Sequence, residues 1–292
     1  MMSLINQDLI MNLSICICTR NRPEEIKKAL KSIEKSSIKI YEVVVSDDST
    51  DEKTKELIGE EFPYVTYAQG PRTGLCANRN NAIKYVKGTH VLFMDDDVIL
   101  GESFAEQVKT CLSSNKGIVD RAIVTGLELK NQIKVIPHDQ NFLGFQKKKY
   151  KQGEPLKTVI INSTIFPMAL FSKLKFDEQL RYGYDEVDIT TRAIKNNFLI
   201  ILCDSAINHH YPSEVNRDYY KPYMDASRIY VTYKRYFYSE EKKLKAISFA
   251  LIAALHTTIH GLSSKQGLKN TWFTLQTTAK YIVGYQKDII KP

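Results

Sequence analysis

Three consecutive aspartates, Asp95, Asp96 and Asp97, follow an apolar run that is typical of a buried strand. Adjacent carboxylates repel one another and lose hydration at the edge of an apolar core, so they cost free energy unless a positive charge lies beside them. One or two carboxylates can hold Mg²⁺ or Mn²⁺ and leave coordination sites for water and diphosphate oxygens. The triplet therefore predicts a divalent-metal site, with an acidic surface turn as the alternative.

Other acidic residues and a histidine pair lie beside predicted strands and helices. They are Asp47 and Asp48 after residues 41–46, Asp185 and Glu186 before a helical pattern, and His209 and His210 after residues 198–204. A carboxylate can act as a general base, and neutral imidazole is a common metal ligand. An acidic first turn favoured by the helix dipole is the alternative for Asp185 and Glu186.

Strand-like runs alternate with helical patterns over the first hundred residues. The strand-like runs cover residues 13–18, 41–46, 64–68 and 90–95. This alternation predicts βαβ units and a mainly parallel sheet with helices on its faces. In such sheets the ligand binds beyond the carboxyl ends of the strands. We therefore expect the two aspartate clusters to converge on one crevice.

The second half of the chain is less regular. Residues 130–157 are polar and rich in lysine, which is typical of a functional or mobile loop. From about residue 216 the chain is mostly helical and rich in Tyr and Lys. Packing of these aromatic residues on the preceding domain is the plainest interpretation, and acceptor binding, a dimer contact or docking at a membrane surface are the alternatives.

Composition and motifs exclude several function classes. The 292 residues are 43% hydrophobic, which is ordinary for a globular protein and argues against a disordered one. The first strand is not followed by GxGxxG, so a dinucleotide-dependent oxidoreductase is not expected. The five cysteines lack zinc-site spacing and favour a reduced, cytosolic setting. The net charge of +8 leaves open a non-enzymatic binder of nucleic acid or membrane.

The sequence predicts neither a secretory signal nor a membrane-spanning helix. The first twenty residues lack a basic region ahead of their apolar residues. Apolar runs fall short of the roughly 20 residues that span a bilayer. The nearest candidate, residues 246–262, contains two histidines, and we expect it to be a buried or interfacial helix.

Four segments resemble the motifs of family 2 glycosyltransferases of the GT-A fold. They are LSICICTRNRPEEIKKALKSI, YEVVVSDDSTDE, GLCANRNNAIKYVKGTHVLFMDDDV and GYDEVDITTR, in the order and spacing of that family. The resemblance covers roughly residues 12–212. It implies an α/β GT-A domain over residues 1–215, with a Rossmann-like, mainly parallel sheet and flanking helices. A helical C-terminal segment over residues 216–292 would follow.

The resemblance also implies a nucleotide-sugar site at the strand ends. Thr19 and Arg22 would border the nucleotide base. Asp47 would accept a hydrogen bond from a ring N–H, which suits uracil or thymine. Ser46 stands where the family often has an aspartate. Arg79 would lie near the base or the diphosphate.

The aspartate triplet and the histidine pair would complete this site. By the resemblance, Asp95 contacts the ribose and Asp97 holds the metal, with Asp96 as a further donor-site residue between them. Neighbouring side chains on an extended segment point opposite ways, which independently pairs Asp95 with Asp97. His209 or His210 would be a further ligand of the metal or would contact the diphosphate.

The segment GYDEVDI resembles the family's acidic motif, and the resemblance implies a catalytic base there. Glu186 falls on the position that takes the proton from the acceptor hydroxyl in inverting members, and Asp185 precedes it. Glu is one methylene longer than Asp, so either Glu186 or Asp185 could serve. Asp188, one turn further on, would bind the acceptor or organise the helix.

The function implied by the resemblance is that of a metal-dependent inverting glycosyltransferase. It would move a sugar from a UDP- or dTDP-sugar to a hydroxyl of a glycan or lipid-linked acceptor in bacterial surface polysaccharide synthesis. Mn²⁺ or Mg²⁺ would be the cofactor, and nucleic acid is not an expected partner. The expected location is cytoplasmic, with a peripheral contact at the inner membrane face or a homodimer as further options. A sugar-phosphate nucleotidyltransferase is an alternative, although ICTRNRPEE lacks its glycine-rich phosphate loop.

Overall fold

The computed structural model describes residues 11–212, 217–263 and 265–289. The predicted alternation of strands and helices is found in the first part of the chain. Its elements are β1 (Leu13–Thr19), α1 (Pro23–Ile33), β2 (Glu42–Asp47), α2 (Lys53–Glu61), β3 (Thr66–Gln69), α3 (Leu75–Ile83) and β4 (His90–Asp95). Each of the four predicted strands lies within two residues of its expected position.

The middle of the chain contains shorter elements. They are β5 (Val98–Ile99), α4 (Phe104–Ser113), β6 (Ala122–Lys130), β7 (Ile133–Val135), β8 (Asp139–Gln140), β9 (Gln146–Lys148), β10 (Thr164–Pro167), α5 (Met168–Phe171), α6 (Asp185–Lys195) and β11 (Leu199–His210). The polar stretch predicted as a loop thus contains three short strands. Single 3₁₀ segments cover Lys116–Arg121 and Ile161–Ser163.

Three long helices follow β11, as the tail pattern predicts. They are α7 (Arg217–Lys234), which continues into a π-helical turn at Arg235–Ser239, α8 (Lys243–Gly261) and α9 (Lys265–Ile289). The expected division of the chain at residues 215 and 216 falls outside the described residues.

The strands form a mixed sheet with the order β3-β2-β1-β4-β10-β6-β11-β5, and β7 pairs with β6. The first four strands in that order are parallel, which confirms the expected architecture, and β10 runs antiparallel between β4 and β6. Thr19 lies opposite Asp47 in the register of β1 and β2, and Cys18 lies opposite Asp95 in that of β1 and β4. The ends of three strands therefore meet at one edge.

Apolar side chains from both faces of the sheet make the core. On one face Leu92 of β4 belongs to a cluster with Ile26 and Leu30 of α1. On the other face Phe93 packs edge-on against the ring of Phe171, with ring centroids 5.5 Å apart. Neighbouring residues of one strand point to opposite faces, so a strand covered on both sides is apolar along its length.

Helix α7 is joined to the sheet domain by a buried ion-pair network. The Lys234 Nζ atom lies 2.7 Å from Asp177 Oδ2 and 2.8 Å from Asp188 Oδ1, and all three side chains are buried or nearly so. Tyr230 of the same helix donates its hydroxyl to Asp177 at 2.7 Å. The C-terminal helices thus contribute to the packing of the helix that carries Glu186.

Helix α8 corrects two expectations of the sequence, and its interfacial alternative stays a prediction. Within the described residues it is the one helix that is long and apolar enough to cross a membrane, whereas the sequence predicts none. It is also not a buried helix, since its buried residues are limited to Ala246, Phe249, Ala253 and Gly261. Its leucines and isoleucines are exposed.

The Lys234 network leads to a stability prediction. Lys234→Ala leaves two buried carboxylates without their shared cation, so we expect it to lower the free energy of unfolding by about 3–5 kcal/mol. Urea denaturation measures this change. Lys195→Ala is the matched control because Lys195 pairs with Glu241 at the surface, where a loss within about 1 kcal/mol is expected. An equal loss of unfolding free energy in the two variants would contradict a stabilising role of the Lys234 ion pairs.

Candidate active site

Asp96, the middle residue of the acidic triplet, joins that triplet to the turn after β1. Thr19 donates its hydroxyl to Asp96 Oδ2 at 2.7 Å, and Arg22 Nη1 donates to Asp96 Oδ1 at 2.5 Å. Burial raises the pKa of Asp96 to about 7, although the nearby Arg22 opposes this change. Asp96 is therefore engaged by protein donors, and its contact with the nucleotide sugar stays a prediction.

Asp97 lies between two basic side chains. Arg22 Nη1 is 3.2 Å from its Oδ2 atom, and His210 Nε2 is 3.2 Å from its Oδ1 atom. Burial alone would raise the pKa of Asp97, but His210 and then Arg22 hold it below its ordinary value. These basic groups offset the repulsion within the triplet that its sequence implies.

The structure distinguishes the two adjacent histidines. His210 also donates from Nδ1 to Glu128 Oε1 on β6 at 2.8 Å. Burial disfavours its charged form, yet the hydrogen bonds to Asp97 and Glu128 raise the pKa of His210 to about 9. His209 instead lines a cavity of about 440 Å³ with Lys28 and Lys31, and Asp97 is not among its lining residues. A metal contact of His209 stays a prediction.

Asp97 and His210 are chemically suited to hold Mn²⁺ or Mg²⁺. The Asp97 carboxylate oxygen and the His210 Nε2 atom face each other, so both could bind one ion. Glu128 contacts the other ring nitrogen of His210 and fixes the orientation of the imidazole, as a carboxylate commonly does in metal sites. The described residues contain no group of three or more potential ligands. A site with two protein ligands suits these cations, which retain waters and take substrate phosphate oxygens.

Asp95 is more open than its two neighbours and is positioned by an amide. Asn162 donates from Nδ2 to Asp95 Oδ2 at 3.1 Å and accepts from the Asp95 backbone N–H at 3.0 Å. Arg79 Nη2 lies 3.2 Å from Asp95 Oδ1. With its side chain 30% exposed, Asp95 has an oxygen surface that a ribose hydroxyl can reach.

Arg79 joins the end of β4 to the start of α6. Its side chain is only 2% exposed, and it pairs with both Asp95 and Asp185. The guanidinium is therefore enclosed by carboxylates, and its place near the base or the diphosphate stays a prediction. A buried charge is strongly destabilised without a partner, so Arg79 holds these two carboxylates near each other.

Glu186 follows Asp185 and has a different environment. Gln146 of β9 donates from Nε2 to Glu186 Oε1 at 3.1 Å, so the polar stretch after β6 reaches this site. Burial and then the charge of Asp185 raise the pKa of Glu186 to about 7. A carboxylate with a pKa near neutrality is suited to general base catalysis. Asp185, which is paired with Arg79, is less suited to that role.

The turn before α6 determines where this acidic pair lies. Gly183 and Tyr184 both have left-handed backbone conformations, with φ of 73° and 63°. Residues with side chains rarely adopt this conformation, and the turn brings the chain into α6 with Asp185 as its first residue. Ser227 of α7 donates to the Tyr182 carbonyl at 2.9 Å and so supports the turn.

Asp188 is held within the protein. Its carboxylate accepts from Arg192 Nε at 2.9 Å and pairs with Lys234 at 2.8 Å. Burial would raise the pKa of Asp188, but Arg192 and Lys234 lower it. Asp188 therefore helps to organise α6, and acceptor binding by this residue stays a prediction.

Asp47 lies at the end of β2 and is also bonded by protein groups. Ser49 donates its backbone N–H at 2.8 Å and its hydroxyl to Asp47 Oδ1, and Tyr67 donates to Oδ2 at 3.1 Å. A carboxylate has about four lone-pair positions, so a ring N–H can still be accommodated. Its contact with a nucleotide base stays a prediction.

Four residues of the site escape the sequence-based prediction. They are Glu128, Gln146, Asn162 and Lys234. Glu128 had a detectable signal, because it is a lone acidic residue within an apolar strand run. The other three lie in segments whose pattern shows no chemistry, and only the fold brings them to the carboxylates.

The family model for "Glycosyl transferase family 2" matches residues 14–179, which is more than half of the chain. The chain therefore belongs to glycosyltransferase family 2. The matched region contains β1, α3 and the acidic triplet, and α6 with Glu186 lies just beyond it. Membership separates the chain from the two alternatives that its sequence leaves open, a nucleotidyltransferase and a non-enzymatic binder.

Curated proteins similar to this chain carry glycosyltransferase names. One from Campylobacter jejuni, "GalNAc(5)-diNAcBac-PP-undecaprenol beta-1,3-glucosyltransferase", is 29% identical over 41% of this chain and 45% of its own length. One from Escherichia coli, "Putative colanic acid biosynthesis glycosyl transferase WcaA", is 25% identical over 62% of this chain and 66% of its own length. The chain thus spans less than two thirds of each relative.

Solved structures share the fold. S. aureus TarS 1-349 in complex with UDP-GlcNAc superposes with a TM-score of 0.62 at 18% identity, covering 93% of this chain and 81% of that one. The longer S. aureus TarS chain gives a TM-score of 0.61 and is covered to 47%. At this identity the likeness establishes the fold and leaves the substrates of this chain to be proposed.

Proposed function

We propose that this protein is a metal-dependent inverting glycosyltransferase of bacterial surface polysaccharide synthesis. It transfers a sugar from a UDP- or dTDP-sugar to a hydroxyl of a glycan or lipid-linked acceptor. The observation that carries the proposal is the position of Glu186 beside Asp185, which Arg79 joins to Asp95 of the triplet. A proton acceptor and a donor-binding carboxylate group are thereby held at one edge of the sheet.

The names of similar proteins support this donor and acceptor class. TarS was solved with UDP-GlcNAc, which favours a uracil nucleotide as the donor. The C. jejuni relative is named for transfer to an undecaprenol-linked glycan, and the E. coli relative for colanic acid biosynthesis. A lipid-linked glycan acceptor would place the reaction at the cytoplasmic face of the membrane.

Donor binding uses the carboxyl ends of β1, β2 and β4. Asp47 accepts from the ring N–H of uracil or thymine beside Thr19, and Asp95 accepts from a ribose hydroxyl. Asp97 and His210 would hold Mn²⁺ or Mg²⁺, which neutralises negative charge on the leaving diphosphate when bound. Arg22, already 3.2 Å from Asp97, adds positive charge at the same place.

Glu186 acts as the general base. It accepts the proton of the acceptor hydroxyl while the hydroxyl oxygen attacks the anomeric carbon and the bond from that carbon to the diphosphate oxygen breaks. Direct displacement at the anomeric carbon inverts its configuration. Gln146 orients the Glu186 carboxylate through the hydrogen bond to Oε1. Asp185 stays paired with Arg79 beside the base and so helps to hold the start of α6 in place.

Donor specificity is tested by thermal stabilisation. A ligand that binds only the folded state raises its apparent stability, so UDP- or dTDP-sugars with Mn²⁺ or Mg²⁺ should raise the melting temperature. Chelation with EDTA, or the Asp97→Asn substitution, should remove the metal-dependent part of this rise. Asp204→Asn, at a surface site on β11, is the matched control and should keep it. Stabilisation by GDP-sugars alone would contradict the role of Asp47.

The role of Glu186 is tested by its amide variant. Glu186→Gln should retain donor binding and lose transfer by about 10²–10⁴-fold, the usual contribution of a general base. In the unsubstituted enzyme, kcat/KM should rise with pH through about 7, because protonated Glu186 cannot accept a proton. This rise should be absent from the variant.

Glu154→Gln is the matched control, because Glu154 contacts only Lys148 and the backbone of Lys151 in the described structure. It should transfer sugar at the unsubstituted rate. Full transfer activity in Glu186→Gln would show that another residue is the general base. Loss of donor binding in that variant would show that Glu186 holds the donor instead.

A further inference from the structure

Helix α8 presents a largely apolar face to solvent, with Ser248 and Thr258 among its residues. Most of its outward apolar residues recur at intervals of three and four positions, so they occupy one side of the helix. They are Leu244, Ile247, Leu251, Ile252, Leu255, Ile259 and Leu262, with Leu244 82% exposed. We call this set the α8 face. Leu268 and Trp272 extend exposed apolar surface into the first turns of α9.

The opposite side of α8 is already covered. Ala246, Phe249 and Ala253 pack in a cluster with Ile229 and Tyr236 from the end of α7. A helix that is apolar all round belongs to a protein core or a membrane, and here one side is buried against protein while the apolar side chains of the other are about half or more exposed. Exposed apolar surface of this extent marks an interaction site.

Charge around the α8 face is mainly basic, although Glu240, just before α8, pairs with Lys242 and Lys245. Residues 242–280 contain six lysines and no Asp or Glu. The lysines are Lys242, Lys243, Lys245, Lys265, Lys269 and Lys280. Clusters of four to eight basic residues on an amphipathic helix favour anionic lipid, with about 1 kcal/mol for each side chain near the surface. The combination of apolar face, lysines and tryptophan is typical of helices that lie in a membrane interface.

Two other occupants fit the α8 face less well. In a twofold dimer the same patch faces itself, so the lysine clusters would lie close together and repel. A membrane-spanning position would require α8 to leave Ile229 and Tyr236, exposing the buried side that Phe249 now fills. A helix lying parallel to the bilayer keeps that packing and covers the apolar face.

We propose that the α8 face docks the protein on an anionic lipid bilayer, with Trp272 at the level of the head groups. The biological role of this docking rests on the proposed function, because a lipid-linked acceptor would lie at such a surface. Helix α7 connects the α8 face to the candidate active site. Its Ile229 packs against α8, and its Lys234 pairs with Asp188 of α6, the helix that carries Glu186. Docking would therefore hold α6 at a defined position relative to the membrane.

The experiment uses the intrinsic fluorescence of the full chain. Trp272 is its single tryptophan and is 66% exposed, so the emission reports on this region alone. Vesicles of equal parts phosphatidylcholine and phosphatidylglycerol should shift the emission to shorter wavelength and protect Trp272 from acrylamide. Vesicles of phosphatidylcholine alone should give a smaller shift, and added salt should weaken binding.

Substitutions on the α8 face and a matched control complete the test. The double variant Leu251→Gln, Leu255→Gln should bind anionic vesicles about tenfold more weakly or worse, because two apolar side chains lose their burial. Ile133→Gln is the control, since Ile133 is 71% exposed on β7. It should bind as the unsubstituted chain does.

Three outcomes would overturn the inference. The first is unchanged emission with anionic vesicles. The second is an emission shift and a doubled mass in solution without lipid, which would assign the face to a second copy. The third is bound protein that resists alkaline carbonate, which would indicate a spanning helix. The test uses no donor, so lost transfer with intact vesicle binding would affect only the proposed function.

Discussion

The buried guanidinium of Arg79 is the interaction on which the rest of the site depends. It lies between Asp95 at the end of a central strand and Asp185 at the start of α6. Each of these charges would cost several kcal/mol in the interior without its partner. Their pairing therefore fixes the distance between the donor-binding edge of the sheet and the helix that carries Glu186, whose pKa is raised by burial and by the charge of Asp185.

The acidic triplet shows how a cluster of like charges is tolerated. Asp96 is neutralised by Arg22 and held by Thr19, while Asp97 pairs with His210. The three aspartates thus have separate roles. Asp96 joins the triplet to the turn after β1, Asp97 faces His210, and the Asp95 side chain stays partly exposed. A divalent ion at Asp97 would take over the charge that His210 now supplies, and the proton on that imidazole would leave.

Local patterns predict much of this fold. The period of apolar residues locates β1 to β4, and the order of the motifs indicates which strand ends carry Asp47 and Asp95. Ion pairs between residues that are far apart in sequence cannot be predicted from local patterns. Arg79 and Asp185 are 106 positions apart, and whether Asp188 faces an acceptor or Lys234 depends on where α7 packs. The exposure of the α8 face is likewise invisible to a pattern that predicts only an apolar helix.

A crystal structure with a UDP-sugar and Mn²⁺ would test this arrangement of donor, metal and base, because the anomalous signal of manganese locates the ion. We expect an anomalous peak bound by Asp97 and His210, a ribose hydroxyl on Asp95, and the anomeric carbon facing Glu186 across the Arg79 ion pairs. A manganese peak away from Asp97, or a donor whose sugar faces away from Glu186, would contradict it.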